Sequence, residues 1–125
     1  MSNRVAVESG AVTQARRALG ISGEDAAAAW YQAQGYRVVD RNWRCRTGEL
    51  DLVARRGGLV VFCEVKTRTS GAFGLPAEAV NRQKQQRIRV LAARWLDEST
   101  SPASEIRFDV ACVLGDQLEV IQAAF

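Results

Sequence analysis

The sequence predicts an α/β domain in which a mixed central sheet is flanked by helices. Three observations predict this class: a helical segment precedes three strand-like segments, a second helical segment follows them, and two more strand-like segments close the chain. The 125 residues are 47% hydrophobic and 25% charged, which suits one soluble domain that buries roughly two-thirds of its unfolded surface. We therefore expect one core and one site.

The first helix is predicted within GISGEDAAAAWYQAQG and ends at Gly35, since glycine commonly terminates helices. Residues 1–20 are predicted to form a loose arm, and residues 21–125 the single domain. The segment YRVVDRNWRC predicts a first strand. Residues 49–54 and 59–66 predict a hairpin, because a pair of glycines between them supports a tight turn.

The second helix is predicted to begin near Pro76, because proline is favoured in the first turn of a helix. Its apolar residues recur at helical spacing and indicate a stripe that faces the core: Ile88, Leu91, Ala92 and Trp95. The segment EIRFDVACVL alternates and predicts a strand, and DQLEVIQ follows it across a turn at Gly115 and Asp116. Asp109 and Arg107 are predicted to form an ion pair on the polar face of the earlier strand.

The absence of one residue type and of one class of motif narrows the range of possible catalytic mechanisms. The chain contains no histidine, so imidazole cannot act as a base, a nucleophile's partner or a zinc ligand. It also contains no glycine-rich phosphate loop of the Walker or dinucleotide-binding type. Carboxylates and lysine remain as the groups for catalysis.

Cysteine spacing, hydropathy and net charge bear on the location and partners of the protein. The three cysteines are widely spaced, and the opening MSNRVAVESG lacks the apolar segment of a secretory signal, so we expect reduced thiols in the cytoplasm. No apolar stretch approaches the roughly 20 residues that cross a bilayer, so no membrane partner is expected. The net charge of +3 and pI near 9.1 favour polyanions only mildly.

The hairpin is predicted to bring acidic residues together. If the two glycines form its loop, the numbers of cross-strand partners sum to 115, so Asp51 faces Glu64. By the same rule Glu49 faces Lys66, and all four side chains point to one face. The other face is predicted to be apolar: Leu50, Leu52, Val61, Cys63 and Val65. Because opposed Cβ atoms are about 4.5 to 5.5 Å apart, Asp51 and Glu64 repel unless a cation lies between them.

Two interpretations of this cluster stay open on spacing alone. Oxygen ligands without histidine or cysteine suit a hard cation, Mg²⁺ or Mn²⁺. The acids could instead line a wet sheet face and form surface ion pairs worth roughly 0 to 1 kcal/mol each. The neighbouring Val53, Val60 and Phe62 favour the first, because they continue the same face as apolar residues and place the acids at the rim of a covered cleft.

The stretch GELDLVARRGGLVVFCEVKTR at residues 48–68 resembles the signature of the PD-(D/E)xK nuclease superfamily, an acidic residue followed by a strand that bears E-x-K. Asp51, Glu64 and Lys66 match it, and Leu50 stands where the superfamily's name has proline. The chain from about residue 20 to 125 also resembles the YraN-like family of small bacterial proteins. Its matching elements are GE at 23 and 24, GY at 35 and 36, Asn42, GELD, FCEVKTR, FG at 73 and 74, and EAV through Lys84.

The resemblance implies a restriction-endonuclease-like three-layer fold whose hairpin is similar to that of archaeal Holliday junction resolvases. It implies that one or two Mg²⁺ or Mn²⁺ ions are bound by Asp51, Glu64 and the carbonyl of Val65. Lys66 is then the residue that orients or helps to deprotonate the attacking water. The implied activity is that of a hydrolase, a DNA endonuclease that leaves 5′-phosphate and 3′-hydroxyl ends.

Further residues are weaker candidates. Glu24 resembles the accessory helix acid of these nucleases, although an acid in a first helical turn also interacts favourably with the helix dipole without any function. Glu49 is an extra acid expected to pair with Lys66. Thr67, Arg68 and Thr69 follow the motif and are predicted to bind DNA, because they offer hydroxyls, a positive charge and main-chain N–H groups to phosphates. Lys84 is expected to lean toward the sheet, because it lies in line with the apolar stripe of its helix.

The predicted substrate is structured or branched DNA, with recognition through backbone shape and charge. A homodimer would be needed to cut two strands symmetrically. Two other functions remain as alternatives: a nucleic-acid-binding module of nuclease fold that acts through a partner without cleavage, and an interaction protein whose acids are merely solvated.

Overall fold

The computed structural model describes residues 22–68 and 80–125, which form two helices and a five-stranded sheet. The predicted N-terminal arm and Pro76 lie outside the described residues, but the helix that carries the predicted apolar stripe begins at Arg82, after its cap at Asn81, and not near Pro76. In chain order the elements are helix α1 (Gly23–Ala33), strands β1 (Arg37–Cys45), β2 (Gly48–Arg56) and β3 (Leu59–Arg68), helix α2 (Arg82–Glu98), and strands β4 (Glu105–Leu114) and β5 (Gln117–Ile121).

The sheet is mixed, as the sequence predicts. Its strand order follows the chain from β1 to β5; β3 and β4 are parallel, and the other neighbouring pairs are antiparallel. A parallel pair requires a crossover, which contains α2 and returns the chain from the end of β3 to the start of β4. Strands β3 and β4, which precede and follow this helix in the chain, therefore lie side by side in the interior of the sheet.

Each helix begins at a side-chain cap. The Ser22 hydroxyl accepts a hydrogen bond from the Asp25 N–H (3.2 Å), and the Asp25 carboxylate accepts one from the Ser22 N–H (3.4 Å), which is a capping box at the start of α1. At α2 the Asn81 side chain accepts from the Lys84 N–H at 2.8 Å. The predicted end of α1 is confirmed, because the chain leaves the helix through Gly35 at a φ of +89°.

The two helices cover opposite faces of the sheet. The buried cluster on the α1 face contains Ala27, Ala28, Trp30, Tyr31, Tyr36, Leu52, Ala54, Val61, Cys63, Ala111, Val113, Leu118 and Val120. The cluster on the α2 face contains Leu50, Val53, Val60, Phe62, Val80, Ile88, Leu91, Ala92, Phe108, Val110, Cys112 and Ile121. The molecule is thus the three-layer α/β fold, consistent with restriction endonucleases, that the resemblance implies. No helix in the described segments is long and apolar enough to cross a membrane.

A buried polar network joins α1 to β4. The predicted ion pair is confirmed, with Arg107 Nε 2.9 Å from Asp109 Oδ1. The polar face on which it was expected is not exposed at this point, because Asp109 is fully buried beneath α1. The Tyr31 hydroxyl donates to Asp109 Oδ2 at 2.6 Å, and the Ala123 N–H donates to Oδ1 at 3.0 Å. Periodicity within the strand predicts the Arg107 partner of Asp109, whereas only the fold brings Tyr31 and the Ala123 N–H to it.

Candidate active site

The candidate site lies where β2 and β3 part. The ladder between them ends at the pair Leu52 and Cys63, whose numbers sum to 115, so the predicted register is confirmed. Just beyond this pair, the Asp51 carboxylate accepts a hydrogen bond from the Val65 N–H at 2.9 Å. A side chain therefore occupies the place of a main-chain partner, and the opening between the strands is lined with oxygen atoms.

The regular alternation of side chains along β1 and β2 is interrupted beside this opening. Arg41 and Leu52 are cross-strand neighbours on the α1 face, whereas the next paired residues, Trp43 and Leu50, pack on the α2 face. Regular alternation keeps residues two apart on one face, so the predicted position of Leu50 beside Leu52 is wrong. The physical reason lies at Asn42, which has a φ of +52° and rotates β1 locally, and β2 follows it.

Glu64 is held beneath helix α2. Its side chain is 6% exposed, and its Oε2 lies 3.0 Å from Lys84 Nζ. The expectation that Lys84 leans toward the sheet is thereby confirmed. The Lys84 side chain is 38% exposed, so it reaches the buried acid from a position that is open to solvent. The Asn81 cap fixes the first turn of α2 and hence the position of this lysine.

Asp51 has an unusual proton affinity. Burial, and then the hydrogen-bonded neighbouring carboxyl of Glu64, raise the pKa of Asp51 from 3.8 to about 7, although the Val65 N–H opposes the rise. Burial and a like charge both disfavour the ionised form, whereas a nearby cation favours it. The surroundings of Asp51 therefore lack the positive charge that would lower its pKa.

The donor set fits a hard divalent cation with few protein ligands. In an extended strand the N–H and C=O of one residue point toward the same neighbouring strand, so the Val65 carbonyl, like its N–H, is directed toward the opening. Within residues 22–68 and 80–125, no group of three or more histidine, cysteine or acidic side chains is arranged around a metal position. Two carboxylates with water suit Mg²⁺, which usually keeps several waters.

Comparisons with known proteins show which family the chain belongs to. Residues 23–113 match the model of the Uncharacterised protein family UPF0102. A UPF0102 protein of Beutenbergia cavernae is 57% identical over 101 residues, which cover 81% of this chain and 86% of the relative. The chain belongs to the UPF0102 family, the YraN-like group. A UPF0102 protein of Rhodococcus opacus is 48% identical over 113 residues (86% of this chain, 96% of the relative), and one of Frankia casuarinae is 55% identical over 100 residues (80% and 85%).

Three predicted site residues of this UPF0102 protein lie near the opening in different positions. Lys66 follows Glu64 by two residues on β3, so it shares the α2 face, where it is half-buried. Thr67 lies on the α1 face and is exposed; a Cβ on Gly23 would come within 2.6 Å of its Oγ1. Glu24 therefore starts its helix above the end of β3, half-buried, but it joins no group of three acids among the described residues.

Glu49 has a different partner from the predicted one, and two predicted DNA contacts lie outside the described residues. Glu49 does not pair with Lys66, because Arg44 Nε lies 2.9 Å from Glu49 Oε2 across the β1–β2 ladder. Glu49 still lies close enough to contribute to the raised pKa of Asp51, after burial and Glu64. Arg68 ends β3, but its side chain and Thr69 lie outside the described residues.

Sequence reasoning missed the rotation at Asn42 in this UPF0102 protein, and with it the Arg44 partner of Glu49. One signal was available: asparagine is enriched several-fold among non-glycine residues with positive φ, and it stands in the middle of the predicted first strand. An asparagine at that position predicts an irregular strand.

The raised pKa of Asp51 predicts a pH dependence of stability in the absence of divalent cations. The folded protein holds this proton up to about pH 7, whereas the unfolded chain releases it near 3.8, so stability falls as pH rises through that window. Asp51→Asn removes the effect. We expect its stability gain over wild type to be larger at pH 8 than at pH 5 by about 1 to 2 kcal/mol, after allowing for solvent screening.

Urea unfolding with EDTA at the two pH values measures this difference. Glu98→Gln is the matched control, because its carboxylate is exposed and pairs with Arg94 on the surface of α2. A gain from Asp51→Asn that is the same at both pH values would contradict the assignment.

Proposed function

We propose that this UPF0102 protein is a metal-dependent endonuclease that hydrolyses phosphodiester bonds in structured or branched DNA. One observation carries the proposal: Asp51 and Glu64 converge in the opening between β2 and β3, and the pKa of Asp51 is about 7 there. A cation paired with Asp51 in a structural ion pair would lower its pKa, whereas the pKa of Asp51 is raised. The match of Asp51, Glu64 and Lys66 to the superfamily motif supports the same chemistry.

Each group has a role in this proposal. Asp51, Glu64 and the Val65 carbonyl would hold Mg²⁺ or Mn²⁺. Such a cation supplies positive charge against the phosphate and increases the acidity of a water nucleophile. Lys66, on the face of Glu64, would donate a hydrogen bond that orients the attacking water and would stabilise the charge that develops on phosphate oxygens. Lys84 supplies a positive charge beside Glu64 through its 3.0 Å contact.

The substrate follows from what surrounds the site. We propose recognition by backbone shape and charge, with Thr67, Arg68, Thr69 and Lys84 as contacts near the cut bond. Attack of water on the phosphorus, with the 3′ oxygen as the leaving group, would leave 5′-phosphate and 3′-hydroxyl ends. Symmetric cutting of two strands would need a homodimer, each protomer contributing one such site.

A substrate panel tests the proposal. Purified protein is incubated with single-stranded, flapped and four-way-junction DNA in Mg²⁺ or Mn²⁺, with EDTA and an Asp51→Ala protein purified in parallel. We expect metal-dependent cleavage that favours branched substrates, is absent with EDTA and is lost in the variant. No cleavage by folded wild-type protein with any substrate in either metal would overturn it, and equal cleavage by Asp51→Ala would reveal a contaminating nuclease.

A second candidate is a DNA-binding module of nuclease fold that recruits a partner and does not cleave. One observation favours it: Lys84 already contacts Glu64, and no third acid joins the pair among the described residues. The same panel separates the two functions when it is read by gel shift. Equal binding by wild type and Asp51→Ala, without cleavage by either protein, would select the module.

A further inference from the structure

A basic cleft lies at the other end of the hairpin from the candidate active site. It has a volume of about 360 Å³ and is lined by Arg37, Arg55, Arg56 and the glycines Gly35 and Gly57. Three guanidinium groups therefore surround one open depression. We call these three residues the arginine cleft.

The charge of the arginine cleft is not cancelled by acids. Ion pairs between described residues account for other arginines: Arg41, Arg44, Arg94 and Arg107. None of the three cleft arginines appears in an ion pair in the described part of the chain. Arg55 instead donates to the main-chain carbonyls of Gly57, Ser101 and Pro102. A carbonyl dipole orients a guanidinium without removing its net charge, so positive potential remains at this surface.

Two of the arginines are held in place before any ligand binds. Arg56 donates to the Gln34 carbonyl at 3.2 Å, and its guanidinium lies 4.3 Å from the centre of the Tyr36 ring. Arg55 is anchored by its three carbonyl contacts. Arg37 is exposed at the start of β1. Fixed guanidinium groups lose little conformational entropy on binding, and they match the geometry of phosphate oxygens.

We infer that the arginine cleft binds backbone phosphates of DNA at a distance from the cut bond. Asp51 and Arg56 lie on the same strand, about 17 Å apart at roughly 3.3 Å per residue. That separation corresponds to about five base pairs of B-DNA at 3.4 Å each. Edge strand β1 adds exposed Arg37 opposite Arg55, and among the described residues the unpaired positive charge of this strand pair lies in the cleft, because Arg41 and Arg44 pair with Asp25 and Glu49. The inference rests on the proposed function only in taking DNA as the ligand.

Fluorescence anisotropy with a labelled DNA duplex, in EDTA and over a series of salt concentrations, tests the cleft without cleavage. The test variant is R37Q/R56Q, and R37K/R56K keeps the charge while altering the guanidinium contacts. We expect R37Q/R56Q to weaken binding about tenfold or more and to reduce the salt slope by about 2, because about two phosphate contacts are lost. R37K/R56K is expected to retain most of the binding.

A single-charge pair of variants controls for net charge and folding. Arg37→Gln and Arg94→Gln each remove one positive charge from an exposed side chain, but Arg94 lies on α2 and pairs with Glu98. Only Arg37→Gln is expected to lower the salt slope. Thermal unfolding of every variant shows whether the fold is retained.

Any of three results would overturn the inference: wild type that does not bind duplex DNA, an unchanged salt slope in folded R37Q/R56Q, or an equal loss of binding in Arg94→Gln. Cleavage and binding measured on the same variants distinguish a failure of the proposed nuclease function from a failure of the cleft inference. If no variant cuts DNA but R37Q/R56Q loses binding, the cleft stands without the nuclease; if cleavage is found and the cleft variants bind normally, only the cleft is wrong.

Discussion

Asp51→Asn is expected to lower metal-dependent cleavage of branched DNA by about 10³-fold or more. The substitution removes one of two carboxylates that would hold the cation, and with it the positive charge that opposes the phosphate. The amide has nearly the same size and its oxygen can still accept the Val65 N–H bond, so the strands should keep their positions. Single-turnover cleavage rates in Mg²⁺ and Mn²⁺ measure the effect.

Glu49→Gln is the matched control for this substitution. Glu49 lies on the same strand, and its side chain pairs with Arg44, not with the opening. We expect it to cleave at close to the wild-type rate, because Glu49 contributes less than burial or Glu64 to the raised pKa of Asp51. Asp51→Asn protein that is folded and as active as Glu49→Gln would show that the activity arises at another site.

Asp109→Ala is expected to reduce the free energy of unfolding by about 3 to 5 kcal/mol, which is a large part of the roughly 5 to 15 kcal/mol that stabilises a domain. The substitution leaves the Arg107 guanidinium, 18% exposed, without its ionic partner. It also leaves the buried Tyr31 hydroxyl without its acceptor. Urea unfolding followed by circular dichroism measures the loss.

Two further variants show whether the network, and not any lost contact, causes this destabilisation. Tyr31→Phe removes one hydroxyl and is expected to cost about 1 kcal/mol. Glu98→Ala breaks an exposed pair with Arg94 and is expected to change stability by less than about 0.5 kcal/mol. If Asp109→Ala were no more destabilising than Glu98→Ala, the buried network would not stabilise the fold.

The sequence by itself determined the hairpin and the presence of acids at its end. Its register follows from local rules, a two-residue turn at Gly57 and Gly58 and side chains that alternate with a period of two, and the structure reproduces the sum of 115. The helix stripe of α2 and the mixed sheet were predictable for the same reason. Each depends on periodicity within a segment or on the length of one connection.

The tertiary structure alone decided which groups meet across segments. The partner of Glu49 is Arg44, because β1 lies beside β2. Asp109 is buried because α1 covers it, and the arginine cleft forms where the hairpin turn meets the end of α1. The rotation at Asn42 moves Leu50 to the other face. Such contacts depend on packing between elements distant in sequence, and no periodicity within one segment encodes that packing.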